Sequence, residues 1–271
     1  MSFKSLVRSE LNRVLRGIGF EINRAGTEQR AEWRTAFYDV EPWVERIVEQ
    51  VRPFTLTTSE RISALCHAVR YVAKHKIPGD IVECGVWRGG SMMAAALTLL
   101  DERDLSRTLH LFDTFEGMSP PGEADRRAMD GTSAAALLAT ADKSSLIWAY
   151  APLDDVRANL ASTGYPPDRL RFIKGKVEDT LPQQAPHTIA VLRLDTDWYE
   201  STRHELIHLY PRLSVGGVLI IDDYGDWEGA RKAVDEYIND NRLPLLLQRI
   251  DQNGRLAVKI GPLRELPGLA P

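Results

Sequence analysis

The sequence predicts an α/β fold: a doubly wound sheet, mostly parallel, ending in an antiparallel hairpin and preceded by a helical extension. Three observations predict it. From residue 58 onward, short apolar runs alternate with stretches of helical periodicity. The first run, Ile81–Cys84, leads into a glycine loop and a helix that opens at Gly90–Ser91. The last two runs are joined by Asp251-Gln-Asn-Gly254, whose Asn-Gly pair favours a hairpin turn.

Taken in order, the first 22 residues set Phe3, Leu6, Val7, Leu11, Val14, Leu15 and Ile18 at helical spacing, with Lys4, Arg8, Arg13 and Arg16 around them. Such a basic amphipathic helix lies on a membrane or docks on protein, and we read it as docking on its own domain or on a second subunit. Pro42–Val51 is a second helix. Thr58–His75 is a third, capped by Thr58 or Ser59, with Ile62, Leu65, Val69 and Val72 facing the core. The parallel strands are Ile81–Cys84, Leu109–Asp113, Leu170–Lys174, Ile189–Leu194 and Val218–Ile221. Leu245–Ile250 and Arg255–Ile260 form the hairpin. Glu116–Tyr150 is a long connection with an Ala-rich short helix near Ser133–Ala141, either a lid or a packed insertion. The expected division is a helical extension over 1–54, the main domain over 55–261 and a flexible tail over 262–271.

Composition narrows the function classes. At 271 residues, 44% hydrophobic and 27% charged, the chain can fill one α/β core with a small extension. A net charge of −4 and a pI near 5.9 argue against a general nucleic-acid or anionic-membrane binder. Cys66 and Cys84 make neither a disulfide framework nor a C-x-x-C metal pair. No apolar run approaches ~18 residues and no secretory segment is evident, so the expectation is a cytoplasmic protein without a membrane span.

The residues that can carry chemistry cluster at strand ends. The first glycine loop reads G-x-x-x-G-G from Gly85 to Gly90, unlike the G-x-G-x-x-G of pyrophosphate binders, and Glu83 beside it would repel a diphosphate. It suits a polar or cationic ligand such as S-adenosylmethionine, or is a structural turn. Asp113 ends strand two, where a ribose would lie. Gly175 follows strand three and permits close approach to an adenine face. Asp195 and Asp197 follow strand four, and Asp222 and Asp223 follow its neighbour, strand five. Four carboxylates on one rim raise one another's pKa or bind a cation. An all-oxygen set selects a hard ion: Mg²⁺, Mn²⁺ or Ca²⁺. His204-Glu205-Leu-Ile-His208 matches the H-E-x-x-H of zinc peptidases, but a third ligand and a substrate-aligning strand are missing, and we read the match as chance.

Four motifs together resemble the macrocin O-methyltransferase family. They are Val82-Glu83-Cys-Gly85-Val-Trp-Arg-Gly-Gly-Ser91, Phe112-Asp113-Thr-Phe-Glu-Gly117, Leu194-Asp195-Thr-Asp197-Trp-Tyr-Glu-Ser-Thr202 and Leu209-Tyr-Pro-Arg-Leu-Ser-Val-Gly-Gly217. The resemblance spans about residues 55–260. It implies a class I, Rossmann-like methyltransferase sheet of order 3-2-1-4-5-7-6 and Mg²⁺-dependent methyl transfer from S-adenosylmethionine to a sugar hydroxyl of a natural product. By matched position it implies that Glu83, Gly85 and Ser91 line the methionine end of the cofactor and that Asp113 binds the ribose. It further implies Asp195, Asp222 and Asp223 as metal ligands and Asp197 as general base, with Asp195 the other candidate for that role.

Three other readings stand beside it. A catechol-type O-methyltransferase would use similar metal logic on vicinal phenolic hydroxyls. A metal-dependent glycosyltransferase would use Asp195-Thr-Asp197 as its D-x-D. A non-catalytic scaffold would retain the fold alone. Trp33, Phe37 and Trp43, near the N-terminal helix, suggest a subunit contact and a homodimer or larger homo-oligomer.

Overall fold

The computed structural model describes residues 40–261. The predicted helix over the first 22 residues, Trp33, Phe37 and the expected tail lie outside the described residues.

The first described helix, α1 (Pro42–Val51), buries Val44, Ile47, Val48 and Val51. Its Trp43 meets His67 edge-on at 5.4 Å and carries the Arg70 guanidinium over its ring. Those partners belong to α2 (Ser59–Lys74), and Trp43 stays half-buried. The Thr58 hydroxyl caps α2 by accepting from the Arg61 N–H.

The main sheet alternates with helices as the periodicity predicts. It runs β1 (Asp80–Cys84), α3 (Gly90–Asp101), β2 (Leu109–Asp113), α4 (Ala134–Thr140) and α5 (Leu153–Ala161). There follow β3 (Leu170–Lys174), a one-turn α6 (Val177–Thr180), β4 (Ile189–Leu194), α7 (Tyr199–Leu209), β5 (Leu213–Ile221), α8 (Glu228–Asp240), β6 (Gln248–Arg249) and β7 (Arg255–Val258). The order across the sheet is β3-β2-β1-β4-β5-β7-β6, with β7 antiparallel to both β5 and β6. The β5 strand begins five residues earlier than predicted, and β6 is shorter.

Two rules of chain geometry now place the site. Right-handed crossovers lead from β1 toward one edge and from β4 toward the other, so α3 and α7 cover opposite faces. The order reverses between β1 and β4, and a crevice opens there at the carboxyl ends of the strands. Register does the rest: Cys84 pairs with Phe112 and Leu194, and Leu194 pairs with Ile221. The next residues along the chain, Gly85, Asp113, Asp195 and Asp222, therefore leave the sheet side by side.

The long connection is packed. Ala134 and Leu138 of α4 join Trp198, Trp227 and Ala230 in a small apolar cluster, backed by Met118 and Trp148. The buried Asp125 carboxylate accepts from the Gly122 N–H at 2.6 Å and from the Tyr199 N–H, at the start of α7, at 2.8 Å. Among the described residues, no helix is long and apolar enough to cross a membrane.

Candidate functional site

A cavity of about 330 Å³ sits at the strand ends, within the range of small-molecule sites. One side is built from the glycine loop. Gly85 has φ +81°, and a Cβ there would lie 1.8 Å from the Asp195 carbonyl oxygen. Only glycine lets β1 and β4 approach so closely. The same crossing is tied by the Asp195 N–H, which donates to the Cys84 carbonyl at 2.8 Å. Gly89, at φ +90°, is the cap residue of α3, and Ser91 lies in the first turn beside the cavity.

Asp113 orders this loop. One of its oxygens accepts from the Val86 and Trp87 N–H groups at 2.6 and 3.0 Å, and the other from the Phe115 N–H at 2.7 Å. Burial pushes its pKa up, and those three donors oppose the rise. Gly175, whose N–H donates to the Asp113 carbonyl at 3.0 Å, completes this end of the cavity.

The other end is acidic. One carboxylate oxygen each from Asp195, Asp197 and Asp223 lies within 4.8 Å of the others. Asp197 has φ +67°, a left-handed backbone that is uncommon outside glycine, although Asp tolerates it better than most residues. It shares a hydrogen bond with Asp223. Burial and the neighbouring acids push Asp197 up to about 8 and hold Asp195 and Asp223 well above the carboxylate range.

Two buried arginines offset part of this charge. Arg193, the fifth residue of β4, sits among apolar neighbours and is 3% exposed. It donates to Glu83 at 2.5 Å and to Asp195 at 2.6 Å, and it pairs with Asp222. Arg61 of α2 pairs with Asp222 from the other side and with Asp251, in the β6–β7 turn, at 2.9 Å. Two guanidiniums thus pair with Glu83, Asp195, Asp222 and Asp251, and neither pairs with Asp197 or Asp223. The surplus negative charge must hold protons or a cation, and the donors are all oxygen. The residues fit a hard divalent ion.

Set against the expectations, Gly85, Ser91, Asp113, Gly175, Asp195, Asp197, Asp222 and Asp223 all line this one cavity. Glu83 does not. It is fully buried beneath the loop, held there by Arg193, with burial raising its pKa to about 7. Asp222 lines the cavity, yet both its oxygens face guanidiniums. Sequence reasoning missed Arg193 and Arg61. A charged residue inside the apolar run Ile189–Leu194 was the available signal for the first; nothing marked the second among the other polar residues of α2. The two histidines of the zinc-like motif meet at a tilt with ring centroids 4.4 Å apart, and neither belongs to the acidic cluster.

Comparison with known proteins identifies the family. The macrocin-O-methyltransferase (TylF) family matches residues 27–257. A Streptomyces olivaceus protein, 8-demethyl-8-(2,3-dimethoxy-alpha-L-rhamnosyl)-tetracenomycin-C 4′-O-methyltransferase, is 36% identical over 225 residues, covering 82% of this chain and 83% of its own. The demethyldecarbamoylnovobiocin O-methyltransferase of Streptomyces niveus is 36% identical over 202 residues, covering 74% and 73%. Among solved structures, the O-methyltransferase NovP superposes with a TM-score of 0.67 at 33% identity, covering 77% of this chain and 83% of that one. The D-x-D glycosyltransferase and scaffold readings fall away, and the seven-stranded sheet is that of the class I, S-adenosylmethionine-dependent enzymes. The chain belongs to the macrocin O-methyltransferase family and is an O-methyltransferase.

Proposed function

We propose that this enzyme methylates a hydroxyl of a sugar carried on a natural product, by in-line SN2 transfer assisted by a divalent cation, Mg²⁺. The carrying observation is the convergence of Asp195, Asp197 and Asp223 within 4.8 Å, in the same cavity as the loop ordered by Asp113. Two relatives act on a rhamnosyl tetracenomycin and on a novobiocin precursor, which supports a glycosylated acceptor. When bound, the cofactor supplies a methyl group on a sulfonium, and the cation lowers the pKa of a hydroxyl it holds.

The chain's own residues do the rest. Asp195, Asp222 and Asp223 are the proposed cation ligands. Ligation by Asp222 requires it to share its oxygens with Arg61 and Arg193, which a carboxylate with about four acceptor sites allows. Asp197 takes the proton from the acceptor hydroxyl, worth roughly 10²–10⁴-fold for a positioned base. Gly85, Ser91 and Gly175 would hold the cofactor, and Asp113, whose carboxylate orders the Val86–Trp87 loop, would bind its ribose. Trp87, Met118, Trp198 and Trp227 give the cavity an apolar wall that excludes water from the transfer.

The test is calorimetric titration of S-adenosylmethionine with Mg²⁺ and then with excess EDTA, followed by turnover on the rhamnosyl tetracenomycin and novobiocin precursors. Cofactor binding in both conditions, with turnover only in Mg²⁺, is expected; turnover undiminished by EDTA would remove the cation. Asp195→Ala and Asp222→Ala should abolish Mg²⁺-dependent turnover and leave cofactor affinity nearly intact. Asp197→Asn should keep cation binding but slow transfer, with partial recovery at high pH. Loss of cation binding in Asp197→Asn would make it a ligand and pass the base role to Asp195.

A further inference from the structure

Glu205 is a buried acid that the reaction does not use. It lies on α7 with no exposed surface. Its Oε1 accepts from the Thr196 hydroxyl at 2.8 Å. Its Oε2 has no hydrogen-bond partner among the described residues, and the weakly polar Cys84 thiol is the other group against the carboxyl. No cation is among the groups acting on it. Burying a carboxyl that meets only one hydroxyl and a weakly polar thiol is costly, and an apolar side chain of similar volume would often pack there at no loss. The fold gains something else from it.

What it gains is a fixed Thr196. That residue is the hinge between Asp195 and Asp197. Its hydroxyl is held by Glu205 and its carbonyl by the Trp198 N–H at 2.8 Å. The loop bends through the left-handed Asp197, a conformation that persists only where neighbouring contacts enforce it. Turning Thr196 would swing the carboxylates on both sides of it. We infer that Glu205 is a positioning residue which, through Thr196, fixes the direction of Asp195 and Asp197 and thereby sets the cation affinity of the site. The inference rests on reading those aspartates as the cation and base residues.

The test is Mn²⁺ binding to the full chain, read by electron paramagnetic resonance without acceptor, in wild type, Glu205→Leu, Glu205→Gln and Thr196→Val. Calorimetry with S-adenosylmethionine on each reports whether the rest of the cavity is intact. Partners that orient metal ligands are typically worth about 10–100-fold in metal affinity. Glu205→Leu and Thr196→Val should each weaken Mn²⁺ by about that factor while cofactor affinity stays at the wild-type value. Glu205→Gln keeps an acceptor oxygen facing Thr196 and should hold wild-type Mn²⁺ affinity; a loss as large as that of Glu205→Leu would overturn the inference. Thr196→Val removes the same bond from its other end, so a misfolded Glu205→Leu leaves the question open to decision. Wild-type Mn²⁺ affinity in Thr196→Val overturns the inference alone. No Mn²⁺ bound by the wild type overturns the cation reading beneath it.

Discussion

At Asp197 a left-handed backbone and a carboxyl raised to about 8 meet in one residue. Glu83, raised to about 7, is its buried counterpart one layer below. Both bind a proton more tightly folded than unfolded, where their values are 3.8 and 4.5. Their contribution to stability is therefore fully present below about pH 4 and is lost as pH rises through 7 and 8. Metal-free protein should melt at a lower temperature at pH 8.5 than at pH 6, and Mg²⁺ should narrow that gap. Equal melting temperatures at the two pH values would contradict the raised carboxyls. Gly85→Ala makes a second residue-scale prediction. Its φ alone costs roughly 1–3 kcal/mol, and the collision with the Asp195 carbonyl adds to that; denaturant unfolding should show the loss. The strand-end aspartates were legible in the sequence because strand ends are where an α/β sheet gathers ligands. Arg193 and Glu205 were not, because their roles depend on partners 110 and nine positions away that only register and packing bring together.

Elements were easier to read than side-chain partners. Four of the five parallel strands keep their predicted ends to within a residue, since alternation with amphipathic helices is a property of local sequence. The fifth, β5, extends back to Leu213 because β4 pairs with its early residues, which a scan for apolar runs cannot see. The hairpin was signalled by Asn253-Gly254, and the turn is held by the Asp251 carboxylate, which accepts from both of their N–H groups at 2.9 and 2.6 Å. How Glu116–Tyr150 packs needed the structure, because the bond from the Tyr199 N–H to Asp125 joins positions 74 apart. At this scale the cap of α2 is testable. Thr58→Ala should cost about 1 kcal/mol in urea unfolding, the usual worth of such a cap, and unchanged stability would mean that the cap contributes nothing.

For the whole molecule, the sheet's order reversal places the candidate site, and no single motif contains that information. The order itself was readable only through the family resemblance. A ligand that binds only the folded domain raises its stability by about 2.7 kcal/mol at a hundredfold excess over Kd. For a domain of this size that corresponds to a rise of roughly 5–10 °C in melting temperature. S-adenosylmethionine should produce such a shift in the intact chain, and a flat melting curve across that titration would count against the cofactor.

Arg61 draws the first helix of the main domain, the end of its central strands and its final hairpin turn to one point, across 190 positions of sequence. Two distant parts of the chain thus meet beside the proposed cation ligands. A nascent chain that has not yet released Asp251 from the ribosome carries every proposed cation ligand and the proposed base, yet lacks one of the acids that hold Arg61 against them.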